Sequence, residues 1–330
     1  MSKYLSKCLD SLIVDSMDCV EVLVINDGSK DNSSEIAHTY QEKYPNTFRV
    51  IDKENGNYGS CINRGLREAN GKYVKILDAD DYFDNKVFSV YLSELSKLDV
   101  DMLITDFNVV DEDGKLHKKY CYNFQQDTII NIESIVNSID FEVMRMHAVT
   151  YRKSMLENME YKQTEGISYT DHEWVFMPIR DVQNVCYKPL NLYRYLVGRA
   201  GQTVNTNVFV KSLPNMMKVT LSRISFLKAN RNTITKNKES YFNKRILSSI
   251  STIYRFYIMK GVGDWADIIQ FDNAIKTIDD IIYKKSESLK FCKFAFVSYF
   301  RNRNTSAPFL VRVIYSFCFD MKRKFSNNPF

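Results

Sequence analysis

Short apolar runs alternate with amphipathic segments along the first 110 residues of the chain. The runs predict strands over residues 21–26, 48–53, 73–79 and 101–110, and the amphipathic segments predict helices over residues 3–16, 33–44, 59–71 and 85–98. Because the links between these segments are short, the alternation predicts an α/β fold with a mostly parallel, Rossmann-like sheet.

The pattern changes after this region. Residues 128–139 and 151–159 read as helices, and residues 184–196 read as a strand. Beyond residue 205 the apolar spacing predicts helices over 206–229, 238–260 and 264–285. We therefore divide the chain into residues 1–115, residues 116–205 and a C-terminal helical region of residues 206–330.

Two polar clusters follow predicted strands, at the edge where parallel sheets bind ligands. "NDGSKDN" (26–32) has the composition of a turn, but its amide and carboxylate could also read a nucleobase edge. "LDADD" (77–81) could be a solvated loop in which Asp80 or Asp81 caps the next helix. Alternatively, its closely spaced carboxylates could bind Mg²⁺ or Mn²⁺ and so neutralise a diphosphate.

"YTDHEW" (169–174) is a third candidate for chemistry. Thr170 and Glu173 have the spacing of a capping box, which leaves Asp171 without a structural role. An ionised carboxylate in this position could act as a general base. Structural roles are favoured over metal ligation for His147 and His172, because the four histidines are scattered.

Composition and charge narrow the class of protein. The 330 residues carry a formal charge of +5, which by itself gives no argument for nucleic-acid binding. The seven cysteines are widely separated, which predicts free thiols in a reducing compartment and hence a cytoplasmic protein. We find no uninterrupted apolar run of roughly 18 residues that would span a bilayer. Residues 284–330 form a basic tail with interleaved aromatic residues.

Six stretches together resemble the family 2 glycosyltransferases of the GT-A fold, in particular bacterial enzymes of capsular or other surface polysaccharide synthesis. They are "KYLSKCLDSL", "VLVINDGSKDNS", "ENGNYGSCINRGL", "GKYVKILDADDYF", "YTDHEWVFMP" and "KPLNLYRYLVGRAGQTV", and they cover residues 3–205 in order. The resemblance implies an inverting transfer of a sugar from a nucleotide-sugar donor, most often UDP-linked. Residues 1–115 would then hold the nucleotide sugar, and residues 116–205 would hold the acceptor and the catalytic base.

The resemblance also implies roles for individual residues. Asp171 would be the catalytic base, and Asp78 and Asp80 would be the DxD carboxylates that bind Mn²⁺ or Mg²⁺. Asp80 would ligate the metal directly, and Arg199 in "GRAGQ" would contact the diphosphate. Asp27 would read the uracil base. The nucleotide sugar would also contact Asp78 and these further residues: Asn26, Gly28, Ser29, Asn55 and Ala79.

One departure from the family concerns the start of the chain. Family members begin with a central strand that would lie between the strands ending at Asn26 and at Asp78, and this sequence starts at the helix that follows it. We expect unpaired strand edges there and a natural start upstream of Met1. A truncated, inactive nucleotide-sugar-binding or scaffold protein is therefore the alternative function. A nucleotidyltransferase is disfavoured because its glycine-rich phosphate loop and activating lysine are absent.

The basic tail bears on partners and location. Residues 284–330 fit contact with an anionic membrane surface, or alternatively a basic helix pair that packs on the catalytic domain. By analogy with surface polysaccharide assembly, the acceptor would be a lipid-linked saccharide. The protein would then lie on the inner face of the plasma membrane.

Overall fold

The computed structural model describes residues 1–199 and 206–325. The chain divides into two compact units, Met1–Arg199 and Ala200–Phe330. The first unit combines strands with helices, and the described part of the second is helical. The functional division of the first unit at residue 115 stays a prediction.

The first unit contains the strands and helices that the alternation predicts, together with several short elements. Its strands are β1 (Val22–Asp27), β2 (Phe48–Lys53), β3 (Tyr73–Val74), β4 (Tyr82–Phe83), β5 (Met102–Val110), β6 (Leu116–Tyr120), β7 (Ile129–Asn131), β8 (Val149–Arg152) and β9 (Asn184–Leu196). Its helices are α1 (Ser2–Asp10), α2 (Ser33–Lys43), α3 (Asn57–Glu68), α4 (Asn85–Lys97), α5 (Ile139–Glu142), α6 (Lys153–Asn158) and α7 (Asp171–Trp174).

The strands form two sheets. β1 and β2 make a parallel pair, and the larger sheet has the order β3-β8-β5-β9-β4, with β6 added to β5 and β7 added to β9. Within the described residues, β1–β2 and β5–β9 are the parallel pairs, and the other five pairs are antiparallel. The α/β fold class is confirmed, but the prediction of a mostly parallel sheet is wrong. β6, β7 and β8 pair antiparallel with their neighbours, and such pairs do not need the crossover helix that joins parallel strands.

β1 and β3 belong to different sheets, at the place where the sequence predicted unpaired edges. The strand expected over residues 73–79 pairs with β8 only at Tyr73 and Val74, and residues 75–78 are outside any strand. All six residues of β1 remain partly exposed. In contrast, all nine residues of β5 are buried, which is typical of a central strand covered on both faces.

Three local predictions need correction. The helix predicted over residues 3–16 ends at Asp10, where the Ser11 hydroxyl accepts a hydrogen bond from the Phe83 N–H at 3.0 Å. α3 ends at Glu68 rather than at Gly71. Residues 128–139 are mostly not helical: β7 pairs with β9, and a single 3₁₀ turn follows it. An available sheet edge thus overrides the helical spacing of this segment.

The described part of the second unit is helical, as the apolar spacing predicts. Its helices are α8 (Thr206–Lys211), α9 (Leu213–Asn230), α10 (Lys236–Tyr254), a π-helical turn (Arg255–Lys260), α11 (Trp265–Ile278), α12 (Asp280–Ser286), α13 (Phe296–Arg303) and α14 (Phe309–Phe325). The core of this unit is rich in aromatic side chains, including Tyr241, Phe242, Tyr254 and Phe300.

Candidate active site

An open pocket of about 680 Å³ lies at the carboxyl ends of β1 and β2. Three predicted nucleotide-sugar-binding residues line it, namely Asn26, Gly28 and Asn55. Asp52 and Lys53 from the end of β2 add one charge of each sign to the wall. The pocket therefore has the position and the polar lining that the resemblance implies for the nucleotide.

Asp27 is held by an ion pair in this region. Its carboxylate lies 2.5 Å from the Lys53 ammonium and accepts a hydrogen bond from the Gly56 N–H at 2.9 Å. Burial acts to raise the pKa of Asp27, but Lys53 and the Gly56 N–H outweigh it, and the net pKa is lowered. The carboxylate is thus ionised at neutral pH and fixed in orientation, as a group that reads a base edge must be.

Backbone geometry shapes the same turn. Gly28 has φ +70°, and a Cβ there would lie 3.2 Å from the Asn55 nitrogen, so glycine permits the close approach. The Asn55 amide donates to the Asp27 carbonyl at 3.0 Å. The exposed Ser29 donates its N–H to Asn26 Oδ1 at 3.2 Å. The first polar cluster is therefore both a turn and one wall of the pocket.

The second cluster forms a tight turn after β3. The Asp81 N–H donates to the Asp78 carbonyl at 2.9 Å, with Ala79 and Asp80 between them. Burial, followed by the charges of Asp80 and Asp171, raises the pKa of Asp78 to about 7. The turn therefore brings like charges together where little water can screen them.

Arg199 neutralises one of these carboxylates. Its Nε lies 2.5 Å from Asp80 Oδ2, and both side chains are largely buried. Arg199 also lies 6.0 Å from the centre of the Tyr4 ring. The residues that follow it in the predicted diphosphate segment, 200–202, are outside the described residues.

Asp81 has a structural environment that the sequence did not indicate. It is 1% exposed, and its two oxygens accept hydrogen bonds from the Tyr193 hydroxyl at 2.6 Å and the Leu196 N–H at 2.7 Å. The suggestion that Asp80 or Asp81 caps the next helix is wrong. Asp84 caps α4 by accepting from the Val87 N–H.

The predicted base, Asp171, is the first residue of the single-turn helix α7. It lies close enough to Asp78 for its charge to raise the pKa of that carboxyl. The capping box predicted around it is wrong. The Thr170 hydroxyl instead accepts from Gln163 Nε2 at 2.9 Å, and the buried Glu173 accepts from the Thr164 N–H and hydroxyl, both at 2.7 Å.

Several residues at this site were missed or assigned differently from sequence. Tyr58 on α3 interacts with the Asp78 carboxyl, and Lys53 pairs with Asp27. His147 lies close to Asp78 and Asp81, with one possible metal-ligating atom from each residue within 4.8 Å of the others. Burial, then Arg145 and Lys75, lower the pKa of His147, so its imidazole is neutral. No local pattern marks these residues, because their partners are distant in sequence.

Comparisons with known proteins agree with this geometry. The family model described as Glycosyl transferase family 2 matches residues 2–153. The uncharacterized glycosyltransferase YibD of Escherichia coli is 26% identical over 204 residues, which are 57% of this chain and 56% of YibD. The glycosyltransferase GlyG of Streptococcus pneumoniae is 30% identical over 140 residues, or 41% of this chain and 45% of GlyG. The matches thus span about half the length of these two relatives.

Among solved structures, S. aureus TarS 1–349 in complex with UDP-GlcNAc has a TM-score of 0.67 to this chain. The similarity covers 92% of this chain and 89% of that chain at 16% sequence identity, and so concerns the fold. Residues 2–153 thus form a glycosyltransferase family 2 domain, in a chain that has a GT-A-type fold.

Proposed function

We propose that this protein is an inverting glycosyltransferase that moves a sugar from a UDP-linked donor to an acceptor hydroxyl. The main support for the proposal is that Asp78 and Asp80, in one turn, lie near Asp171, at the start of α7. The same chain has a polar pocket at the ends of β1 and β2. TarS, which has the same fold, binds UDP-GlcNAc, and this makes UDP-sugars the first donors to test.

The nucleotide is bound at the ends of β1 and β2. The Asp27 carboxylate, fixed by Lys53, accepts from the uracil N–H, and Asn26, Gly28 and Asn55 line the pocket around the base and ribose. Ser29 and Ala79 supply contacts from the two turns. The polar groups are held by each other before the ligand arrives, which reduces the ordering cost of binding.

The carboxylate turn fits a divalent cation. Asp78 and Asp80 offer hard oxygen donors, and the raised pKa of Asp78 reflects a concentration of negative charge that a cation would relieve. Bound Mn²⁺ or Mg²⁺ would supply Lewis-acid stabilisation of the diphosphate leaving group. Arg199, which pairs with Asp80 in this structure, reorients to the diphosphate when the donor binds.

Asp171 acts as the general base. Its carboxylate accepts the proton of the acceptor hydroxyl while that oxygen forms a bond to the anomeric carbon. The bond between the anomeric carbon and the diphosphate oxygen breaks on the opposite face, and UDP leaves with the electron pair. The configuration at the anomeric carbon inverts in a single displacement, without a covalent enzyme intermediate.

The acceptor in this proposal is a lipid-linked saccharide in surface polysaccharide synthesis, reached from the cytoplasmic face of the membrane. Support comes from α14, one face of which exposes large apolar side chains at helical spacing. They are Phe309, Leu310, Val313, Ile314, Phe317 and Met321. A helix of this kind, in a basic segment, suits a peripheral contact with anionic lipid.

Two further observations refine the membrane contact. Arg301, counted with the basic tail in the sequence, is instead buried in an ion pair with Asp272 and is not available to lipid. Within the described residues, the structure contains no helix that is both long and apolar enough to cross a membrane. The proposed contact is therefore with the membrane surface.

A protein that binds nucleotide sugar without transferring it is the second candidate. This candidate is favoured because β1 and β3 belong to different sheets, and because β1, the strand that carries Asp27, is partly exposed. Both candidates predict binding of UDP, and only the first predicts chemistry.

A panel of UDP-sugars, tested with Mn²⁺ for binding by calorimetry and for UDP release, separates the candidates. Release of UDP from at least one donor supports the transferase. Binding without release supports the second candidate, and the absence of both contradicts the family-based assignment of the pocket.

A further inference from the structure

His147 occupies an unusual position next to the carboxylate turn. It lies in the single 3₁₀ turn that precedes β8, and β8 is antiparallel to β3 with Val74 opposite Tyr151. Beyond Val74 the chain leaves the strand but stays against this turn, because Lys75 Nζ donates to the His147 carbonyl at 2.9 Å. The fold therefore brings an imidazole to the turn that contains Asp78 and Asp81.

The three side chains have the spacing of a metal site. One ligand atom from each of Asp78, Asp81 and His147 lies within 4.8 Å of the other two. Ligands at about 2.1 Å from a common ion are up to about 4.2 Å apart, so a shift of a few tenths of an ångström in each side chain closes the site.

A second observation points to a ligand at this place. His147 is 8% exposed, and its Nδ1 is buried without a hydrogen-bond partner in the described part of the chain. The ring packs against the aromatic rings of Phe107, Tyr193 and Tyr195, at centroid distances of 5.0, 4.8 and 4.4 Å. A buried polar atom that lacks a partner costs about 1–3 kcal/mol. Coordination through Nδ1 would give this atom the polar partner that the surrounding rings do not provide.

The hydrogen bonds around the turn hold the remaining ligands. Asp81 accepts from Tyr193 and from the Leu196 N–H, and each of its oxygens keeps a further lone pair for a cation. Outer contacts of this kind orient metal ligands. Lys75 lies on the same segment, and its Nζ donates to the carbonyls of His147 at 2.9 Å and Val149 at 3.3 Å. The Arg199 guanidinium forms its ion pair with Asp80.

We propose that Asp78, Asp81 and His147 form a divalent-cation site with one nitrogen and two oxygen ligands. The imidazole ligand suits transition metals such as Zn²⁺ or Fe²⁺, and the two carboxylates suit Mn²⁺, which also serves as a paramagnetic probe. The site goes beyond the proposed function, which requires only Asp78 and Asp80 and no nitrogen ligand. Asp78 belongs to both ligand sets.

Pulsed electron paramagnetic resonance of Mn²⁺ bound to the cation-free full chain tests the site. Hyperfine spectroscopy is recorded first with Mn²⁺ alone and then with Mn²⁺ and UDP. We expect a ¹⁴N coupling from the imidazole in both samples and an added ³¹P coupling with UDP. Bound Mn²⁺ without a ¹⁴N coupling, or no bound Mn²⁺ in either sample, overturns the site.

The same spectra separate this inference from the proposed function. A ³¹P coupling without a ¹⁴N coupling rejects the His147 site and leaves cation-assisted UDP binding intact. A ¹⁴N coupling without a ³¹P coupling supports the His147 site and rejects cation-assisted UDP binding.

A variant gives a second measurement. His147→Phe keeps an aromatic ring among Phe107, Tyr193 and Tyr195 but removes the nitrogen. We expect it to weaken Mn²⁺ binding about tenfold or more, with far-ultraviolet circular dichroism unchanged. His117→Phe, which changes the histidine paired with Asp111, is the matched control and should bind Mn²⁺ as the parent does. Equal Mn²⁺ affinity in a folded His147→Phe variant overturns the site.

Discussion

Asn63 and Gln163 join α3 to the segment that leads to Asp171 through a pair of hydrogen bonds. Asn63 Nδ2 donates to the Gln163 carbonyl at 2.8 Å, and the Gln163 N–H donates to Asn63 Oδ1 at 2.8 Å. Both residues are buried. Next to them, a Cβ at Gly59 would lie 1.9 Å from the Thr164 carbonyl oxygen, so the two segments are in close contact. This contact connects the helix that carries Tyr58 to the segment before α7.

Asn63→Ala should destabilise the first unit. The substitution leaves the buried Gln163 N–H and carbonyl without their partners, which costs about 1–3 kcal/mol. We expect a lower midpoint of urea unfolding, followed by the fluorescence of Trp174, which is fully buried in this unit. Asn70→Ala, which removes an exposed hydrogen bond to Glu21, is the matched control and should change the midpoint little. An unchanged midpoint in Asn63→Ala would show that the contact is not important for stability.

Asp171→Asn should separate chemistry from donor binding. The amide keeps the shape of the side chain but cannot accept the acceptor proton, so turnover should fall roughly 100- to 10,000-fold. Affinity for UDP should stay the same, because Asp27 and the pocket residues are untouched. Transfer is measured by UDP release and binding by calorimetry, with the exposed Asp113→Asn as control. Full turnover in Asp171→Asn removes this residue from the role of base.

The exposed face of α14 should control binding to lipid vesicles. Phe309, Leu310 and Phe317 are 81%, 68% and 66% exposed, and each contributes roughly 1.5–3 kcal/mol when fully buried. Changing all three to serine should lower the affinity of the full chain for phosphatidylglycerol vesicles about 100-fold or more, as measured by co-sedimentation.

The matched control for this experiment lies in the first unit. Ile129, Ile139 and Val143 are also exposed apolar residues, and their triple change to serine should leave vesicle binding unaltered. Binding of the parent protein should weaken as salt rises, because the basic charges are then screened. Equal sedimentation of both triple variants would exclude α14 as the contact.

Stability of the cation-free protein should depend on pH through Asp78. Its folded pKa is about 7, raised by burial and by Asp80 and Asp171 from the ordinary value of 3.8. Between these values the folded state binds a proton that the unfolded chain releases, so stability falls as pH rises from about 4 to about 7. Asp78→Asn removes this cost. With a chelator present, its Tm should match the parent near pH 4 and exceed it above pH 7.

The exposed Asp18→Asn serves as the control for this titration and should follow the parent at every pH. A constant difference in Tm between Asp78→Asn and the parent across the pH range would contradict the predicted titration.

Local sequence patterns determined much of this protein. β2 and β9 begin and end where the apolar runs predict, and α2 and α4 differ from prediction by a single residue. The "NDGS" and "DADD" motifs indicated the family, and Asn26, Gly28 and Asn55 do line a common pocket. These features follow from residue types within a few positions of each other, because helix and strand periodicity are local properties of the chain.

Only the tertiary structure decided how the carboxylates are paired. Arg199 meets Asp80 across 119 positions, and Tyr193 meets Asp81 across 112. The capping box predicted at Thr170 does not form, because its two polar side chains have other partners. Thr170 bonds to Gln163, and Glu173 bonds to Thr164. A charged or polar side chain that leaves water must find a partner, and the nearest partner in space depends on how distant segments of the sheet are brought together.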